Sequence, residues 1–334
     1  MTNFNLDLIP RIPLCILPTP ILPLARLSKK VGGAEIYVKR DDLTGIAFGG
    51  NKNRKLEFLL ADALQKGANT IITEGALQSN HCLQTAACAA KLGLNCELVL
   101  SGDDPETVTG NLLLQHILEV GIHRVLESTE RKNTMKRVEE DLLERGKKPY
   151  LIPTGGSNKI GAIGYIACMK EIAEQAKAMT KQFDYFVHAS GSAGTQAGLL
   201  LGKALFYPNI EVVGISVGGV SGELAAETRR IIKDFEEEWG IDLKIKDEAI
   251  QVFEDYFGEG YSIPTTEMVE TLKLVAQLEG IFLDPVYNGK AMVGLIDLLK
   301  KEHIPKEAKV LFLHSGGGPS IFHFAKEFRK PISL

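Results

Sequence analysis

The sequence predicts an α/β protein built from mainly parallel sheets with helices on both faces. Three observations carry that reading. Short apolar strands alternate with helical patterns along the whole chain, as parallel βαβ units require. Several strand-to-helix junctions are turns rich in glycine, serine and asparagine. At 334 residues the chain has the length of about two domains, yet no linker, repeat or low-complexity tract divides it. The missing linker fits two open α/β domains that share the chain discontinuously.

The elements follow in order. Residues 36–38 read as a strand. Gly49-Gly50-Asn51-Lys52 then leads into an amphipathic run, with Leu56, Leu59, Leu60 and Ala63 at helical spacing and Gly67 as a stop. Residues 70–73 form a short apolar strand. A helix spans 79–92, with Ser79 or Asn80 as its N-cap. A strand at 97–100 precedes helices around 108–120 and 130–146, with a strand near 124–126 between them. Residues 150–152 enter a loop at 153–158, and a helix spans about 160–178. The second half repeats the rhythm, with strands at 185–189, 211–216 and 310–314. Helices follow residue 195 and lie near 221–238 and 265–280.

Composition excludes several classes of function. Hydrophobic content of 45% and charged content of 24% are ordinary for a globular protein. A net charge of −4 offers no basic footprint for nucleic acid. No apolar run has the length of a membrane span. The start, Met1-Thr2-Asn3-Phe4-Asn5-Leu6-Asp7, lacks the pattern of a signal peptide. Five irregularly spaced cysteines give no disulfide framework, and a reducing cytoplasm fits them. His81-Cys82 lacks the partners at short spacing that a zinc site needs, so no metal is expected.

Lys52 is the most informative residue. Two glycines free the backbone before it, and a helix starts at it. The helix N-terminus disfavours a cation by roughly 0.3–1 kcal/mol. A neutral lysine escapes that cost, and lysine condenses with carbonyl cofactors. Ser190-Gly191-Ser192-Ala193-Gly194-Thr195 lies between a strand and a helix. Its small residues let backbone N–H groups face one anion, which suits a phosphate. It lacks the spacing of nucleotide-binding loops. A phosphate cradle, a carbonyl-binding lysine and no nucleotide signature suggest pyridoxal 5′-phosphate. Gln78-Ser79-Asn80 places amide and hydroxyl groups at another helix start, suited to a carboxylate. Tyr261 and Tyr287 are loop aromatics, and Ser315 offers a hydroxyl after the last strand.

Together these segments resemble the pyridoxal-phosphate-dependent family that contains D-cysteine desulfhydrase and 1-aminocyclopropane-1-carboxylate deaminase. The marks are Lys39-Arg40-Asp41-Asp42, Gly49-Gly50-Asn51-Lys52, Gln78-Ser79-Asn80, the run from Gly191 through Thr195, Asp284-Pro285-Val286-Tyr287 and Gly316-Gly317. The resemblance covers nearly the whole chain. It implies a fold of the tryptophan-synthase-β type (fold type II), with the cofactor between two domains. The large domain would be 1–54 with 161–334, and the small one 55–160. It implies a homodimer. By position it makes Lys52 the Schiff-base lysine, with Asn51 beside it. Asn80 would bond the cofactor's phenolic oxygen, and Gly191, Ser192, Ala193, Gly194 and Thr195 would hold its phosphate. Ser79 and Gln78 would meet the substrate carboxylate. Tyr261 and Tyr287 would flank the substrate as acid–base or positioning groups.

Two positions divide that family. The deaminase branch usually has Glu after Asp-Pro-Val-Tyr and Leu after the final His; here they are Asn288 and Ser315. The desulfhydrase branch usually has small polar residues at both. Ser315 would sit at the ring nitrogen and Asn288 beside the substrate. Leu83 also departs from the family's usual Arg. The reading is β-elimination from a small amino acid, D-cysteine first, giving pyruvate, ammonia and hydrogen sulfide. The alternatives are 1-aminocyclopropane-1-carboxylate deamination, another β-substituted substrate such as cysteate, racemisation, and a non-catalytic cofactor-binding protein.

Overall fold

A computed structural model describes residues 4–328. The first three residues of the leader reading above lie outside them. The chain opens with β1 (Ile21–Pro23), α1 (Ala25–Val31), β2 (Glu35–Arg40), α2 (Asn51–Gln65), β3 (Thr70–Ala76) and α3 (Asn80–Lys91). Next come β4 (Asn95–Ser101), α4 (Gly110–Ile117), β5 (Gly121–Val125), α5 (Arg131–Glu144), β6 (Pro149–Ile152) and α6 (Lys159–Ala178). The second half holds β7 (Tyr185–Ser190), α7 (Gly194–Phe206), β8 (Glu211–Ser216), α8 (Ser221–Trp239), β9 (Gln251–Phe253), α9 (Thr266–Glu279), α10 (Asn288–Lys300), β10 (Lys309–His314) and α11 (Ala325–Phe328).

Two sheets result. The larger has the order β1-β2-β10-β7-β8-β9, and the smaller β5-β4-β3-β6. All strand pairs are parallel except β1 with β2. The smaller sheet therefore uses one continuous stretch of chain, and the larger takes strands from both sides of it. Strand alternation sends side chains to two cores. Phe186, Val212 and Leu311 pack with Ile166 and Leu200 on one face of the large sheet. Val187, Val213 and Phe312 pack with Met292 and Leu295 on the other. The small sheet is covered likewise, with Leu98 and Leu100 against Leu59 and Ala86 on one face, and Ile72 and Val99 against Met135 and Val138 on the other. Near-continuous apolar strands are the expected result of burial on both faces.

Elements beyond the sequence reading include β1, α1, β9, α10 and α11. β1 and β9 are three-residue edge strands. Pro23 ends β1, and proline is tolerated at a sheet edge. α10 starts directly after the Asp284-Pro285 turn. The Asp284 carboxylate accepts the N–H groups of Val286, Tyr287 and Asn288 at 2.8–3.0 Å and so starts the helix from outside it. Asp284 thus bonds two and three residues ahead as an N-cap does, although the helix proper begins only at Asn288.

A buried charge cluster fixes α2. Arg54 is 1% exposed and bonds both oxygens of Asp41 at 2.8 Å. It also bonds Glu171 of α6 at 2.9 and 3.0 Å. Lys39 of β2 reaches the same Glu171 at 2.5 Å. Two cations and two carboxylates balance, and the Tyr165 hydroxyl donates to Asp41. The guanidinium of Arg54 holds the Asp41 carboxyl below its usual range although burial alone would raise it. Removing one partner would strand the others. The cluster ties the first turn of α2, and hence Lys52, to β2 and α6.

Candidate active site

A cavity of about 340 Å³ lies where the carboxyl ends of both sheets meet. Its walls come from residues at or just after the ends of β3, β4, β7, β8 and β10: Ala76, Ser101, Ser190, Val217 and Ser315. Open α/β sheets place ligands in this position because loops leave the strands there and helix N-termini point inward.

Lys52 lines the cavity. It is half-buried in the first turn of α2. A Cβ on Gly49 would collide with the Asp42 carbonyl, and one on Gly50 with the Gln84 amide. Both glycines also have positive φ, at 75° and 141°. The tight approach explains the paired glycines before the lysine. Burial lowers the Lys52 amine to about 8. No hydrogen bond ties Lys52 among the described residues, so its amine is left to a ligand. Lys55, one turn on, is fully buried and donates to the Gly155 carbonyl at 3.1 Å. Burial, with the charge of Lys52, holds its amine well below the ordinary range.

The second wall is the turn from β7 to α7. Gly191, Ser192, Ala193 and Thr195 line the cavity. Ala193 caps α7 in a left-handed conformation, with φ of 62°. A non-glycine residue there carries strain, at the turn where α7 meets the cavity wall. Gly194 is not part of the wall. Its missing Cβ would come within 2.6 Å of the Ser157 hydroxyl, so its smallness serves packing behind the turn. Asn51 donates to the Thr195 hydroxyl at 3.3 Å and joins the two walls.

The third wall is the start of α3. Ser79 is the N-cap, accepting the Cys82 N–H at 3.2 Å. Asn80 accepts from Asn111 Nδ2 at 2.6 Å, which leaves its own Nδ2 group to donate elsewhere. Both residues line the cavity. Gln78 does not. Its amide is committed to α4, donating to the Thr109 carbonyl at 3.0 Å and accepting from Asn111 N at 2.8 Å. The sequence reading gave Gln78 to the substrate; the structure gives it to the neighbouring helix. Leu83 is buried on α3.

Tyr261 and Tyr287 close the cavity together, their hydroxyls 2.5 Å apart. Burial raises both phenols, Tyr287 the more strongly because Tyr261 adds to it. Ser315 lines the cavity. Asn288, read above as a substrate contact, does not. It is fully buried. Its Nδ2 donates to the Gly316 carbonyl at 2.8 Å, and its Oδ1 accepts from the Ser315 N–H at 2.8 Å and hydroxyl at 3.2 Å. The Ser315 hydroxyl therefore points its proton at Asn288 in this arrangement. Asn288 acts on the cavity only through Ser315.

These groups fit pyridoxal 5′-phosphate. A small-residue turn at a helix start suits a phosphate, an amine of lowered basicity suits an aldehyde, and the spare Asn80 donor suits a phenolic oxygen. Residues 12–316 match the family described as pyridoxal-phosphate dependent enzyme. The chain belongs to that family. It is 43% identical over 95% of its length to a putative 1-aminocyclopropane-1-carboxylate deaminase of Pyrococcus abyssi, covering 94% of that protein. It is 42% identical over 97% of its length to a D-cysteine desulfhydrase of Klebsiella pneumoniae, covering 99% of that protein. A solved structure of an ACC deaminase homologue superposes with a TM-score of 0.89 at 40% identity, over 96% of each chain.

This pyridoxal-phosphate dependent enzyme also has wall residues that the sequence reading missed. His81, Ser101, Ser128, Arg131 and Thr154 line the cavity from the small-sheet side. Ser101 ends β4, and Thr154 follows β6 within two residues. Their place at the carboxyl ends of parallel strands was the available signal.

Proposed function

We propose that this enzyme eliminates the β-substituent of a small amino acid, D-cysteine before others, giving pyruvate, ammonia and hydrogen sulfide. The observation that carries the choice is the Asn288–Ser315 pair. An amide and a hydroxyl stand where a deaminase of this family would bring a carboxylate and a leucine. When bound, the cofactor supplies an electron sink for the electrons left at Cα. A neutral hydroxyl near its ring nitrogen would make that sink weaker than a carboxylate would. A weaker sink suits a reaction whose leaving group departs promptly.

In this reading Lys52 would hold the cofactor's aldehyde and would also be the base that accepts the substrate's Cα proton. Its lowered basicity suits a base that must be neutral near pH 8. Gly191, Ser192, Ala193, Thr195 and Asn51 would hold the phosphate end, and Asn80 the phenolic oxygen. Ser79 and the start of α3 receive the substrate carboxylate. Tyr261 and Tyr287 are protonated at neutral pH, as phenols ordinarily are. One proton lies in their shared bond, and the other is free to pass to the departing sulfide. The relatives named as deaminases support 1-aminocyclopropane-1-carboxylate as the second reading.

The division into 1–54 with 161–334 and 55–160 is part of the same proposal, supported by the way the two sheets draw their strands. So is a cytoplasmic homodimer. Five free cysteines suit a reducing compartment. Among the described residues no helix is long and apolar enough to cross a membrane. Ile16, Leu43 and Phe48 are exposed on segments joined by the Cys15–Gly45 bridge, an apolar face suited to a second copy. Sedimentation would report the dimer. Product analysis on D-cysteine, L-cysteine and 1-aminocyclopropane-1-carboxylate tests the activity. Sulfide with pyruvate from D-cysteine is expected; 2-oxobutanoate without sulfide from either cysteine would overturn the reading.

A further inference from the structure

The start of α4 is joined to the start of α3 by bonds that run both ways. Gln78 Oε1 accepts the Asn111 N–H at 2.8 Å, and Gln78 Nε2 donates to the Thr109 carbonyl at 3.0 Å. Thr109 gives α4 no side-chain cap, so the Gln78 amide caps it from outside. In return, Asn111 Nδ2 donates to the Gln78 carbonyl at 2.8 Å and to Asn80 Oδ1 at 2.6 Å. Gly110 lets the two turns approach, since a Cβ there would lie 2.6 Å from Gln78 Oε1 and 3.1 Å from the Pro319 carbonyl. Asn111 is fully buried, and its Oδ1 has no partner among the described residues. A buried amide oxygen left unpaired is costly. The side chain is thus placed for its two donors, and neither of those bonds lies within α4.

We infer that Asn111 is a positioning residue for the cofactor: it fixes which end of the Asn80 amide is offered to the phenolic oxygen. The order of the bonds decides the orientation. A backbone carbonyl can only accept, so the Gln78 carbonyl requires the nitrogen of Asn111 on its side. The same nitrogen also meets Asn80. Asn80 must therefore turn its oxygen to Asn111 and its nitrogen away from it. Turning Asn111 over would set its oxygen against two acceptors. Asn80 Nδ2 lies on the side of Gly317, where a Cβ would come within 2.9 Å of it, and it makes no hydrogen bond among the described residues. Without Asn111, the Asn80 amide could turn over and offer its oxygen instead. An acceptor there would repel an anionic phenolic oxygen, whereas an N–H group bonds it. The preset orientation also removes a freedom that binding would otherwise have to suppress.

The inference rests on the reading that Asn80 faces the phenolic oxygen, and the test separates the two. Holoenzyme variants are dialysed against graded pyridoxal 5′-phosphate, or against 3-deoxypyridoxal 5′-phosphate, which lacks that oxygen, and the bound cofactor is measured. Asn111→Leu keeps most of the volume and removes both donors. It should weaken binding of the complete cofactor roughly 10-fold, the scale of one hydrogen bond to a charged atom, and binding of the deoxy analogue by less than about twofold. Asn80→Ala should show the same contrast. When Asn111→Leu is added to Asn80→Ala, the further loss should stay below about twofold, because the two residues act through one bond. Equal losses for both cofactors in Asn111→Leu would make Asn111 a structural residue only and overturn the inference. Additive losses in the double variant would overturn it as well. Should Asn111→Leu fail to fold, Asn111→Asp decides by the same comparisons, because it keeps the size and sets an oxygen against Asn80 Oδ1. No contrast between the two cofactors in Asn80→Ala would instead sink the placement of Asn80, and the inference with it.

Discussion

Lys52 is predicted to bind the cofactor with a pH dependence set by its buried position. Burial lowers its amine from the ordinary lysine value to about 8. Only the neutral amine attacks an aldehyde. The sign follows: protonation below about pH 8 slows the attack, and the rate rises as pH increases through that value. At pH 7 a lysine with a pKa of 8 is about 10% neutral, and one at 10.5 about 0.03% neutral, a difference of roughly 300-fold. The assay is the rate of appearance of the cofactor's bound absorbance after mixing apoenzyme with pyridoxal 5′-phosphate. Fitting should begin above pH 7, because a phosphate monoester titrates near 6. The rate should level off by about pH 9. A rate that keeps climbing about tenfold per unit to pH 10 would show that Lys52 has the basicity of an exposed lysine and that the cavity does not desolvate it.

Three further outcomes are expected. Asn288→Glu with Ser315→Leu should suppress sulfide release from D-cysteine, read by product analysis, and an unchanged yield would remove these positions from substrate choice. Lys290→Met should lower kcat by roughly 10²-fold, the cost of a misplacement near 1 Å, while the cofactor's absorbance stays. The reason is that Lys290 Nζ holds the loop bearing Tyr261 through the Phe257 and Gly260 carbonyls, both at 2.8 Å; kcat and cofactor occupancy measured on one preparation check this. Arg54→Met should destabilise the fold by about 3–5 kcal/mol, since it leaves Asp41 buried without its guanidinium and Glu171 with Lys39 alone; chemical denaturation reports the loss.

Much of this architecture was legible in the chain because parallel strands buried on both faces announce themselves. The 185–189, 211–216 and 310–314 runs are apolar without alternation, and each became a strand of the large sheet. The walls after β3 and β7 were legible for a different reason. Their residues are small or polar where a helix starts, and such junctions carry their chemistry locally. What stayed hidden was set from outside each element. α10 is started by a carboxylate outside it, and β1 and β9 depend on their neighbours for existence. Arg131 looked like one more basic residue on a charged helix. Only the packing of β3, β4 and β6 brings it to the cavity beside Ser101 and Thr154. Gln78 and Asn288 show the converse. Both have the chemistry of a ligand contact, and both spend it on backbone that must be held.

That last point bears on how substrate choice is built. Asp284, Asn288 and Lys290 lie within seven residues, and none lines the cavity. Asp284 starts α10 and bonds Asn288 Nδ2 at 2.5 Å. Asn288 holds Ser315, Lys290 holds the Tyr261 loop, and Tyr287, just before Asn288, reaches the cavity itself. This short segment thus positions three cavity residues at once. A carboxylate at position 288 could not simply replace the amide. It would face the Asp284 carboxylate at hydrogen-bond distance and would have no donor for the Gly316 carbonyl, so repulsion and an unpaired oxygen would both oppose it. A glutamate there would have to swing toward Ser315, the side from which the cavity is reached. The leucine of the deaminase pattern at 315 would then remove the hydroxyl that now occupies Asn288. The two positions must change together because they form one hydrogen-bonded unit, and the buried member sets the orientation of the exposed one.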